Sequence, residues 1–160
     1  MAMIVLGIDP GSQCLGYGLL RSDRLGHHVY LSSGYLKLKG SLSERLLQIE
    51  QGLTTIMDRH QPECVAIESI FVHRFPKSAL VLGHARGAAM LTVARRSIPL
   101  AEYPARLVKK TLVGYGNAAK DQMQHMVKQL FHLNGLPQSD AADALAVAFC
   151  HIAHGMPVSN

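Results

Sequence analysis

Apolar residues recur along this chain with two periods, and the switches between them predict the order of its elements. Residues 3–9 open with Met3-Ile4-Val5-Leu6-Gly7-Ile8, apolar on both faces as a central strand is. Pro10-Gly11-Ser12 breaks the run, and residues 15–21 and 29–38 read as second and third strands. The turn at Leu25-Gly26 and the short links favour an antiparallel meander. After Ser41 the spacing changes to three and four: Leu42, Leu46, Ile49, Leu53, Ile56 and Met57 make one helix face. Ser41 and Glu44 supply a capping box at its start, and Pro62 ends it. A short buried strand at 63–68 follows, then a helix at 78–96, a strand at 98–103 and a helix at 104–112 with proline at its start. A loop at Gly114-Tyr115-Gly116 leads to two further helices, 118–133 and 139–154. Three antiparallel strands followed by alternating strands and helices predict an α/β fold with a mixed central sheet and helices on both faces.

Composition narrows the class. The chain of 160 residues is 48% hydrophobic, enough for a single domain, 1–160, with its own core. Cys14, Cys64 and Cys150 lie far apart and form no CxxC pair, so they read as reduced, mostly buried thiols. The first apolar run is short and ends in a charge and a turn, unlike a signal peptide. His84 and Arg86 interrupt the best candidate for a membrane span. The expectation is a cytoplasmic protein with no membrane association. A formal net charge of +5 admits nucleic acid as a partner without requiring it. His151 and His154 share a helix face but have no acid or thiolate at metal-binding spacing, so both are expected on the surface.

Against that basic background, four acids sit where acids are costly. Asp9 follows the first apolar run, Glu68 follows Cys64-Val65-Ala66-Ile67, and Asp140 and Asp143 open an Ala-rich stretch running to Cys150. Each has an ordinary reading: Asp9 as a turn residue before Pro-Gly, Glu68 as the partner of an arginine, Asp140 as an N-cap and Asp143 as a first-turn acid. Two acids three apart on a helix share one face, about 5–6 Å between Cβ atoms. If the strands ending in Asp9 and Glu68 are neighbours, all four converge at the carboxyl edge of the sheet. Converging carboxylates repel unless cations neutralise them, and oxygen ligands select Mg²⁺ or Mn²⁺ over zinc. Two such ions about 3.5–4 Å apart could clamp a phosphodiester displacement.

The segments GIDPGSQCLGYGLL, VAIESIF, SALVLGHARGAA, YPARLVKKTLVGYGNAAKDQMQHMV and DAADALAVA together resemble the RuvC Holliday-junction resolvases of bacteria, in order and over nearly the whole chain. The resemblance implies a ribonuclease-H-like fold and a homodimer with one two-metal site per subunit. It implies nicking of four-way DNA junctions during recombination and repair, with water as the nucleophile. Asp9, Glu68, Asp140 and Asp143 match the family's metal-binding acids, with Mg²⁺ as cofactor and Mn²⁺ as a substitute. Phe71 matches an aromatic placed against unpaired bases at the crossover, with a cap on the core under the next helix as the alternative. Arg74 and Lys77 would contact phosphates, and Lys109 and Lys120 match basic positions near the cut, with plain surface lysines as the alternative. Phe75-Pro76 departs from the family pattern and should stiffen its loop. Gly83 and Gly87, near Ala85, Ala88 and Ala89, let their helix approach either its own sheet or a second copy. A branch-migration motor of the RuvA and RuvB type is the implied partner.

Other classes share single features. ATPases of the actin, sugar-kinase and heat-shock-chaperone superfamily begin with a similar strand and Asp-Gly hairpin, but use two such domains around adenosine. A related RNA-processing branch shares the hairpin, and a binding-only module would lack one or more of the acids.

Overall fold

The computed structural model describes residues 2–70 and 76–155. Five strands are seen: β1 (Met3–Asp9), β2 (Cys14–Ser22), β3 (His28–Lys37), β4 (Cys64–Glu68) and β5 (Leu100–Tyr103). With them go five helices: α1 (Leu42–His60), α2 (Pro76–Arg95), α3 (Ala105–Val113), α4 (Lys120–Leu130) and α5 (Ser139–His154). The sheet order is β3-β2-β1-β4-β5. The first three strands form the expected antiparallel meander, while β4 and β5 add to β1 in parallel, so the sheet is mixed.

Strand alternation sends side chains into two cores. Leu6, Ile8, Leu15 and Leu19 point to the side covered by α1 and α2, with Ile49, Leu53, Ala85 and Ala89. Val5, Leu20 and Ala66 point to the other side, under α3, α4 and α5, with Val108, Met123 and Leu145. The helix pattern after Ser41 holds: Glu44 N–H donates to Ser41 Oγ at 3.3 Å, and Ser41 N–H donates to Glu44 Oε2 at 2.6 Å. Gln61 ends α1 in the left-handed region (φ 50°), directly before Pro62.

What positions the last helix is a stripe without side chains. Gly7 on β1 and Gly16 and Gly18 on β2 lie beneath α5. A Cβ on Gly7 would meet the Ala144 carbonyl oxygen at 1.9 Å, and one on Gly16 would meet that of Asp140 at 2.1 Å. On the helix side Ala141, Ala144 and Ala148 are buried, so backbone rests almost on backbone.

Some expectations change. α4 spans Lys120–Leu130 and not 118–133: Ala119 is still extended, and His132 turns left-handed (φ 54°) just after the helix. α2 begins at Pro76, two residues before the expected start. His151, expected on the surface, is 2% exposed. Its Nδ1 lies 2.6 Å from the Tyr103 hydroxyl, and burial lowers its pKa, favouring the neutral ring. The end of α5 packs between β5 and α3, so a residue that spacing alone places outside is enclosed by tertiary contacts. His154 is exposed, as expected, and pairs with Thr111 Oγ1 at 2.8 Å. All three cysteines are free; Cys64 and Cys150 are buried and Cys14 half-buried. Among the described residues no helix is long and apolar enough to cross a membrane.

Candidate metal centre

β1 ends at Asp9 and β4 at Glu68, and Ile8 pairs with Ile67 in parallel register. The two acids therefore leave neighbouring strands side by side at their carboxyl edge. β1 is also where the sheet changes direction, antiparallel to β2 and parallel to β4. The glycine stripe lays the start of α5 over this edge. One ligand oxygen from each of Asp9, Asp140 and Asp143 lies within 4.8 Å of the others. Glu68 joins them in lining a cavity of about 310 Å³, together with Lys109, Lys120, Val108, Ala118 and Met123. All four predicted acids are thus brought together, three of them in close contact.

Asp140 is not the N-cap. Gln138 holds that place, its side chain accepting from Ala141 N–H, and Asp140 lies in the first turn of α5. The capping alternative for Asp140 is removed, and its carboxylate is left for the cluster.

The electrostatics are those of a site short of positive charge. Burial, and then repulsion from Asp143, Asp140 and Glu68, raise the Asp9 pKa from 3.8 to about 8. A hydrogen bond that only the protonated form can donate to Asp140 adds to this. Asp143 rises to about 6, again chiefly through burial, with Lys120 and Lys109 opposing. Glu68 is raised by burial and held back by Lys109, Arg86 and Lys120. A cluster of oxygen donors that must retain protons to coexist suits a hard divalent cation, which would replace those protons. The three grouped ligands are all carboxylates, the oxygen donors that select Mg²⁺ or Mn²⁺ over zinc.

Of the predicted DNA contacts, Lys109 on α3 and Lys120 at the start of α4 face this cavity. Lys77 is exposed in the first turn of α2. Phe71, Arg74 and the Phe75 departure lie outside the described residues, as does the Pro76 side chain. Of the small residues on α2, Ala85 and Ala89 are buried against its own sheet, whereas a Cβ on Gly83 or Gly87 would meet only open space.

Two residues were not singled out as chemistry from the sequence. Arg86, 8% exposed, donates to the Glu68 carbonyl oxygen and to the Glu102 carboxylate, tying the ends of β4 and β5. An arginine inside a Gly/Ala-rich apolar helix was the available signal. Gln138 offered none, since glutamine is not a preferred N-cap. A larger, mostly apolar depression of about 620 Å³ shares Asp9 and Glu68 with the site, bounded by Pro10, Ile70, Leu82, Arg86, Pro104 and Arg106.

Comparison with known proteins shows which family the chain resembles. Residues 5–151 match the family model described as "Crossover junction endodeoxyribonuclease RuvC". The protein of that name from Legionella pneumophila (strain Lens) is 52% identical over 151 residues, covering 92% of this chain and 86% of the relative. Its counterpart in Tolumonas auensis is 50% identical over 149 residues, with the same coverage. The solved structure "T. thermophilus RuvC in complex with Holliday junction substrate" superposes with a TM-score of 0.84 at 33% identity, covering 93% of this chain and 92% of that one.

Proposed function

The chain belongs to the RuvC family of crossover junction endodeoxyribonucleases, and from that premise we propose how its residues resolve a four-way DNA junction. The family's chemistry is nuclease action on DNA crossovers, dependent on divalent metal, in recombination and repair. The observation that carries the site assignment is the convergence of Asp9, Asp140 and Asp143 within 4.8 Å, with Glu68 in the same cavity.

Asp9, Glu68, Asp140 and Asp143 would hold two Mg²⁺ ions, with Mn²⁺ as a substitute. Ions bound there would supply the charge neutralisation and water activation that in-line phosphodiester hydrolysis needs. Asp9 would serve as a ligand in its carboxylate form, its proton passing to solvent. Lys109 and Lys120 draw the scissile phosphate toward the acids, and Lys77 and Arg74 grip the backbone beyond it. Phe71 stacks on a base unpaired at the crossover. Symmetric nicking calls for two sites. The face of α2 carrying exposed Leu80 and Leu91, with open space over Gly83 and Gly87, supports a homodimer contact there. A motor of the RuvA and RuvB type would deliver the junction, in the cytoplasm.

The test is Mg²⁺-dependent cleavage of a synthetic four-way junction beside a linear duplex and a structured RNA. Paired nicks confined to the junction support the reading; cutting of the RNA alone would overturn junction resolution as the activity of these residues. Asp143→Asn should keep junction binding and lose nicking. Unchanged nicking would remove Asp143 from the site.

A further inference from the structure

The side chain of Gln138 makes three contacts at the start of α5. Its Oε1 accepts from Ala141 N–H at 2.9 Å, its Nε2 donates to Asp140 Oδ2 at 2.7 Å, and Nε2 also lies 3.9 Å from Cys14 Sγ. We propose that Gln138 is a positioning residue for the metal ligand Asp140, holding one carboxylate oxygen so that the other faces Asp9 and Asp143. The proposal rests on the metal-site assignment above.

The need for such a residue follows from where Asp140 sits. The first turn of a helix has N–H groups without helical partners, and an aspartate there tends to fold back onto them. A carboxylate engaged that way is turned from the cluster. Gln138 blocks this twice, since its oxygen fills the Ala141 N–H and its nitrogen draws on the carboxylate itself. The backbone of Asp140 is already fixed, because its carbonyl rests on Gly16 with no room for a Cβ between them. With the backbone seated on β2 and one oxygen held by an amide, little rotation remains to Asp140. The longer side chain matters here. Serine, asparagine or aspartate caps a helix well, but none can cap and also reach the carboxylate two residues on. That separates the two roles in an experiment.

Gln138→Ser keeps a good cap and removes the donor to Asp140. Mn²⁺ binding is measured on the free protein by the EPR signal of unbound Mn²⁺. The melting temperature in EDTA and junction binding without metal are measured alongside. We expect the Mn²⁺ dissociation constant to rise about tenfold or more, as for other lost partners of metal ligands. Melting should be unchanged or higher, and junction binding unchanged. The Mg²⁺ concentration for half-maximal cleavage should rise in step, with the rate at saturating metal largely recovered. Gln138→Asn, also a cap and one methylene too short, gives the same reading should serine disturb the helix. Wild-type Mn²⁺ affinity in both variants, with Asp140→Asn clearly impaired, overturns the positioning role and leaves the metal site standing. Wild-type Mn²⁺ affinity in Asp140→Asn overturns both.

Discussion

Replacing Asp9 with asparagine should make the metal-free protein more stable while ending its cleavage of junctions. Asp9 is raised from 3.8 to about 8 by burial and by three neighbouring acids. Between those pH values the folded state keeps a proton that the unfolded chain has released, so stability falls as pH rises and the loss is complete above about 8. At about 1.4 kcal/mol per pKa step, the interval from 3.8 to pH 7 corresponds to about 4 kcal/mol. Water entry and movement of the repelled side chains reduce this, leaving about 1–3 kcal/mol that a neutral isostere would recover. Thermal unfolding in EDTA reads it directly, at about 2–4 °C per kcal/mol for a chain of this size. The variant should melt higher than wild type at pH 8, by less than half as much at pH 5, and by nothing near pH 4. Saturating Mg²⁺ should reverse the order, because binding stabilises only the protein that holds it. An Asp9→Asn protein that melts at or below wild type in EDTA at pH 8, or whose gain ignores pH, would refute the reasoning.

Four further outcomes follow from other parts of the molecule. Gly16→Ala places a methyl group 2.1 Å from the Asp140 carbonyl; unfolding should show a loss of about 2–3 kcal/mol, and Mn²⁺ binding should weaken with it. Arg86→Met leaves the Glu68 carbonyl and Glu102 without their guanidinium; denaturant titration should show a loss of roughly 2–3 kcal/mol, and an unchanged midpoint would dismiss the strand tie. Junction affinity should fall steeply between about 50 and 200 mM salt, because releasing condensed counterions into more concentrated salt gains less free energy. Lys109→Ala should shallow that salt slope by about one; a slope equal to wild type removes Lys109 from the DNA surface.

Much of this was legible because it depends on local pattern. The strand ending in Asp9 declares itself by apolar residues on both faces, and α1 by its capping box and spacing. The four acids stood out because each ended or opened an apolar stretch, and the parallel pairing of β1 with β4 made two of them neighbours. What stayed hidden depends on elements far apart in sequence. His151 looks like a surface histidine until α3 and β5 close over it. Gln138 looks like a linker residue until its amide is seen against Asp140. Arg86 read only as a break in hydropathy, because its partners lie at the ends of two strands 16 and 18 residues away. The extra length expected for α4 failed because backbone conformation at Ala119 and His132, rather than apolar spacing, sets its ends.

The division of the site between β1 and α5 bears on when the enzyme is armed. A ribosome delivers Asp9 early and Glu68 midway, but Asp140 and Asp143 only after the sheet and four helices have emerged. A partly made chain therefore holds two acids of the four and cannot grip its ions as the finished site would. The reverse holds on damage or heating. α5 lies across all five strands, so any opening of the core that lifts it also scatters the carboxylates. Cutting ability is thus lost with any loss of shape that lifts α5.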